Sequence, residues 1–95
     1  MPYIDDIAQA NLSSSVEAVI KSIKSQDLDD REGLVNYAIT RIVAGSFKPE
    51  TGWRYKFLNR AYGTFLSAAA EFYRRLVEPY ENKCIGKNGD IKEYK

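Results

Sequence analysis

The chain lacks histidine altogether, and it carries one cysteine, one methionine, one tryptophan and three prolines in 95 residues. Without histidine, Ser-His-Asp and Cys-His nucleophile pairs are excluded, as is any His-ligated zinc site. Cys84 stands alone, so an internal disulfide, a CxxC redox pair and a thiolate cluster are excluded too. A lone cysteine fits a reducing compartment. No apolar run approaches the roughly 18 residues that a membrane-spanning helix needs. The first residues, MPYIDDIAQ, hold two acids where a signal peptide would hold bases, so a cytoplasmic chain with no membrane partner is expected. The chain is 44% hydrophobic and 28% charged, with six glycines, and reads as one folded domain over residues 1–95.

Net charge is only +1, which argues against strong binding to a nucleic-acid backbone. The charge is unevenly placed, however. Residues 1–32 hold seven acids and three bases, and residues 33–95 hold six acids and eleven bases. That asymmetry suits either an anion-binding surface or attraction between the two ends of the chain or between copies of it.

Tyr3, Ile4, Ile7 and Leu12 begin the chain with a weak apolar pattern, suited to a short turn or helix. Ser13, Ser14 and Ser15 offer N-caps for a first helix over about residues 14–25, whose apolar residues Val16, Val19, Ile20 and Ile23 share one face. Asp29 and Glu32 form a D-x-x-E capping box that opens a second helix, with Gly45 as its stop. Pro49 and Gly52 punctuate the loop that follows.

The third helix gives the strongest signal. Tyr55, Leu58, Tyr62, Phe65, Ala69, Phe72 and Leu76 step by alternate threes and fours, a heptad seam, with Leu66, Tyr73 and Tyr80 on one flank and Ala61 and Ala68 on the other. A helix over residues 54–78 would span about 37 Å, more than a compact chain of this size is wide, and so wide an apolar band asks for more than one neighbour. Pro79 should end or kink the helix near Glu78. Asn88-Gly89 is the pair preferred in a tight hairpin, which makes residues 81–95 a short β-hairpin or an extended arm. The expected fold is therefore all-α: two medium helices, one long C-terminal helix, then the hairpin or arm, assembled as a helical homo-oligomer.

Candidate binding groups concentrate between Glu71 and Lys83. Arg74, Arg75 and Lys83 supply cations, and Tyr73 and Tyr80 supply hydroxyls and ring faces, the chemistry that holds phosphates and stacks bases. The same residues also read as solvated i,i+4 pairs, Glu71–Arg75 and Arg74–Glu78. Trp53 is either an anchor at the helix start or a stacking surface, and Asn36 either bridges helices or lines a pocket. Glu71 and Glu78 share a face but are too few for a magnesium site. The NGD of Asn88–Asp90 lacks the acids of a calcium loop and the glycines of a phosphate loop, so no cofactor is expected.

GLVNYAITRI (Gly33–Ile42), Tyr55-x-x-Leu58-Asn59, EFYRR (Glu71–Arg75), PYE (Pro79–Glu81), Lys83 and NGD together resemble a family of small uncharacterised proteins of bacteria and their phages, over about residues 33–90. The resemblance implies a short phage or mobile-element product that acts by binding rather than catalysis. The expected function is sequestration of a small anionic, nucleotide-like ligand, such as a host-defence signal, at subunit boundaries by Arg75, Arg74, Tyr73, Tyr80, Lys83, Trp53 and Asn36. The alternative is an interaction or assembly factor docking on a host or virion protein through its apolar helical face.

Overall fold

The computed structural model describes residues 4–95, and the expected apolar position Tyr3 lies outside them. The regular elements among the described residues are all helical, with no strand among them. The elements are α1 (Asp6–Lys24), α2 (Arg31–Phe47), α3 (Tyr55–Phe72) and α4 (Glu78–Asn88). Short 3₁₀ turns at Leu28–Asp30 and Lys92–Tyr94, and a π turn at Tyr73–Val77, complete the chain. It divides into two units, Met1–Gly45 and Ser46–Lys95.

In the first unit, α1 starts well before the serine run. Asp5 is the cap: its extended backbone and its carboxylate, which accepts from the Ala8 N–H at 2.9 Å, satisfy one orphan donor of the first turn. The serines are interior instead, and the Ser13 hydroxyl donates back to the Gln9 carbonyl at 2.7 Å. A serine that bonds to the preceding turn is tolerated inside a helix, which is why the expected start near residue 14 falls short. The 3₁₀ turn Leu28–Asp30 then leads into α2. Asp29 lies in that turn, so α2 opens at Arg31 rather than on the expected capping box. Arg31 secures the corner by donating from Nη2 to the Lys24 carbonyl at 3.3 Å, so that one of the end carbonyls of α1 finds a donor. Gly45 does not stop α2, which runs two residues further to Phe47. Val43 is the buried core residue of this unit.

In the second unit, Gly52, at a positive φ of 92°, closes a turn by donating to the Pro49 carbonyl at 3.1 Å. Helix α3 begins at Tyr55 as the periodicity expects, with Arg54 in extended conformation before it. Its covered edge is Phe57, Ala61 and Phe65, four residues apart, of which Ala61 is buried and the aromatic pair half-buried. The heptad seam shares Phe65 with that edge and is otherwise open: Tyr55, Tyr62 and Phe72 are 78%, 64% and 60% exposed.

The tail does not form the expected hairpin or arm. Residues 81–88 belong to α4, and Asn88-Gly89 ends that helix: Gly89, at φ 82°, donates to the Ile85 carbonyl at 2.7 Å. Asn-Gly suits either outcome because both a tight hairpin and a helix stop need a residue at positive φ. What decides is the helical continuity upstream.

Candidate functional site at the π turn

Pro79 shapes the site. It has no N–H to offer the carbonyl four residues back, that of Arg75, and its ring would press on that carbonyl in a regular helix. The chain neither stops nor breaks there. It widens by one residue: the Glu78 N–H donates to the Tyr73 carbonyl, a five-residue step, through Tyr73–Val77. Helix α4 then starts at Glu78 with Pro79 in its first turn, where a missing N–H costs least. Of the two expected outcomes near Glu78, an end or a kink, the helix does not end: a π turn intervenes and a further helix follows.

The extra residue changes which side chains meet. In a regular helix residues seven apart line up, and across a π turn residues eight apart do. Tyr73 accordingly donates its hydroxyl to Glu81 Oε2 at 2.9 Å, eight residues on. That bond, together with the negative charge of Glu81 and Glu78, raises the Tyr73 pKa above the ordinary tyrosine value. The same shift rotates Tyr80 out of the seam by about a quarter turn and places Glu81 near the seam line instead.

Arg74 and Arg75 both turn back to one carboxylate. Arg74 pairs with Glu71 Oε2, and Arg75 Nη1 lies 3.5 Å from Glu71 Oε1. The expected Glu71–Arg75 pair is present, whereas Arg74 reaches Glu71 and not Glu78, because the π turn lies between Arg74 and Glu78. Two guanidiniums sharing one carboxylate leave positive charge over, and Arg75 is 61% exposed. Lys83, eight residues beyond Arg75, is exposed on α4, about 11 Å along the axis.

The structure groups Tyr73, Arg74 and Arg75 in the π turn, with Tyr80 and Lys83 on the helix that follows. Trp53 lies before the start of α3, about 30 Å along the helix from Arg75, so one chain does not bring them together. Asn36 is in α2 of the first unit, beside a hollow of about 400 Å³ that Arg31, Glu32 and Val35 also line. Among the described residues no group of three or more metal-ligating side chains is found, and Glu71 is engaged by two arginines.

Sequence reasoning did not single out a second feature, in the first unit. Ala18, Val19 and Ile23 of α1 and Leu34, Ala38 and Ile42 of α2 line an apolar groove of about 530 Å³. Arg41 and Tyr37 also line it, with Arg41 Nη1 donating to the Tyr37 hydroxyl at 3.0 Å and its guanidinium 5.7 Å from the ring centre. The four-residue spacing of Tyr37 and Arg41 was the available signal.

Among the described residues no helix is long and apolar enough to cross a membrane. No curated protein and no solved structure matches the chain. Residues 1–91 match the family described as Domain of unknown function (DUF6899), and the chain belongs to that family.

Proposed function

We propose that this protein is a non-enzymatic binding protein that works as an assembly of copies and holds a small anionic, nucleotide-like ligand at the boundaries between them. The observation that carries the reading is the sharing of Glu71 by Arg74 and Arg75, which leaves an exposed guanidinium in the same turn as Tyr73, at the end of a helix whose apolar seam is open. Guanidinium with aromatic faces recognises phosphate and base together. A helix whose seam faces water has little to hold it alone, and a neighbouring helix is the usual remedy.

Native mass spectrometry of protein purified gently from cells tests the reading. An oligomer carrying a few hundred daltons of extra mass, lost on Arg75→Ala with Lys83→Ala, supports it; an oligomer that both forms carry empty counts against the ligand, and a monomer against the assembly.

The second reading is docking on a host or virion protein. It is favoured by the α1–α2 groove, whose apolar walls and Arg41 suit an amphipathic helix carrying an acidic residue. A protein partner lost on Ala38→Glu, in a sample without bound small molecule, would support it.

A further inference from the structure

The seam of α3 has the symmetry of any heptad run, and its side chains suit that symmetry in one direction only. Its six positions pair off about the midpoint of the helix, between Gly63 and Thr64: Tyr55 with Phe72, Leu58 with Ala69, and Tyr62 with Phe65. A second α3 laid antiparallel with its midpoint on the first would therefore meet seam residues with seam residues along the whole helix. Each layer would then hold at least one large side chain. A parallel pairing would instead stack Ala69 on Ala69 and Tyr62 on Tyr62, alternating gaps with bulges, which close packing disfavours. Lys56, Arg60 and Glu71 lie away from the seam, and the flanking Asn59, Leu66, Ala61 and Ala68 carry no charge to repel a copy.

The open area is also close to what one side of a stable pair buries. At roughly 200 Å² per aromatic side chain, the open parts of Tyr55, Tyr62, Phe72 and Tyr73, with Leu58 and Leu66, come to about 700 Å². One side of a stable standard interface buries about 800 Å².

The same pairing has a consequence at its ends. Trp53 and Arg54 precede α3, and Tyr73, Arg74 and Arg75 follow it. They are far apart in one chain, yet the antiparallel register sets the first group of one copy against the second group of the other. Arg54 of one copy would then stand at the same end as Arg74 and Arg75 of the other, beside an indole and a phenol ring, with Glu71 neutralising only the latter two in part. Positive charge beside ring faces suits a phosphate-bearing molecule with a planar ring.

We propose that a second copy of this chain docks antiparallel on the α3 seam, and that each end of the pairing is a composite site for a small phosphate-bearing molecule with a planar ring. Trp53 and Arg54 of one copy and Tyr73, Arg74 and Arg75 of the other supply it. This rests on the assembly and ligand reading above, and adds the surface, the register and the division of the site between chains.

Sedimentation at tens of micromolar, and the fluorescence of the single tryptophan, test it in the full chain. The wild type should be a dimer or a multiple of one. Leu58→Glu, or Leu66→Glu as a second disruption, should dissociate the pair at least 100-fold more readily with helicity retained, and Arg60→Glu, away from the seam, should leave the association unchanged. Adenosine monophosphate should quench Trp53 with two sites per pair, and Arg75→Ala should weaken that at least tenfold. Trp53→Phe is dark. Mixing it with Arg75→Ala should restore quenching, because the intact Arg75 then faces the intact Trp53 from the other chain.

A monomer overturns both the seam and the assembly reading. An oligomer indifferent to Leu58→Glu and Leu66→Glu overturns the seam and leaves assembly standing. A dimer that answers neither adenosine monophosphate nor inorganic pyrophosphate, or a mixture that restores nothing, overturns the composite site and leaves the seam standing.

Discussion

The two units of the chain are held together by different means. In the first, polar groups set the ends: the Asp5 cap opens α1, and Arg31 closes its far end on the Lys24 carbonyl. Along the α1 face Val16, Val19 and Ile20 are partly sheltered, at 39–43% exposed, although Ile7, Tyr37 and Ile42 of the same unit stand open. In the second, Arg54 gives α3 no side-chain cap, and the helix is marked out by its apolar repeat, whose aromatic members stand mostly open. A helical unit can be closed by its own caps or completed by another helix, and the sequence announces the second case more loudly than the first.

The sharpest way to break that contrast is in the first unit's core. Val43→Ala removes two methyl groups from a buried site and should cost about 1–2 kcal/mol, lowering Tm by several degrees in a calorimetric scan. No change in Tm would mean that Val43 does not organise its unit.

Ala61→Gly is the counterpart in the second unit. It adds backbone freedom at the buried point of α3 and should cost about 1 kcal/mol, seen as faster amide exchange over Tyr55–Phe72. Exchange as slow as in the wild type would show that α3 is held by more than its own helix.

Asp5→Ala should cost about 1 kcal/mol through the lost cap, with faster exchange confined to the first turns of α1. Uniform acceleration along α1 would make the cap a global rather than a local element.

The smallest effect is the titration of Tyr73. Its pKa is raised by the bond to Glu81, so the protonated phenol is favoured by the fold. The stabilisation is complete below the ordinary tyrosine value of about 10 and is lost as pH rises through the higher folded value. Absorbance of tyrosinate should show one late-titrating group that vanishes in Tyr73→Phe and returns to the ordinary range in Glu81→Gln. Pro79→Ala should have the same effect as Glu81→Gln, because a regular helix no longer aligns residues eight apart.

What the sequence made legible follows the same contrast. The start of α3 at Tyr55, its seam and the all-helical class were readable because they rest on period alone. The start of α1 was not, since three serines imitate a cap and only the hydroxyl's bond back to Gln9 reveals them as interior. Asn88-Gly89 suggests a hairpin or an arm rather than a helix stop because a positive-φ glycine serves both a tight turn and a helix end. In the candidate site the pairing of Arg75 with Glu71 was legible from spacing, but Tyr73–Glu81 was not, because no spacing rule anticipates a π turn. Pro79 was the clue, and its usual meaning as a terminator hid the milder outcome.

The π turn has a consequence in terms of chain length. It is one residue more than the helix needs, so the chain on either side is out of phase by a single position. Deleting one residue between Tyr73 and Val77 would return Tyr80 to the seam line and carry Glu81 off it. An insertion of two or three residues there would complete a turn and do nearly the same. Whether the face beyond the turn is aromatic or acidic is thus decided by a count of residues rather than by their kind.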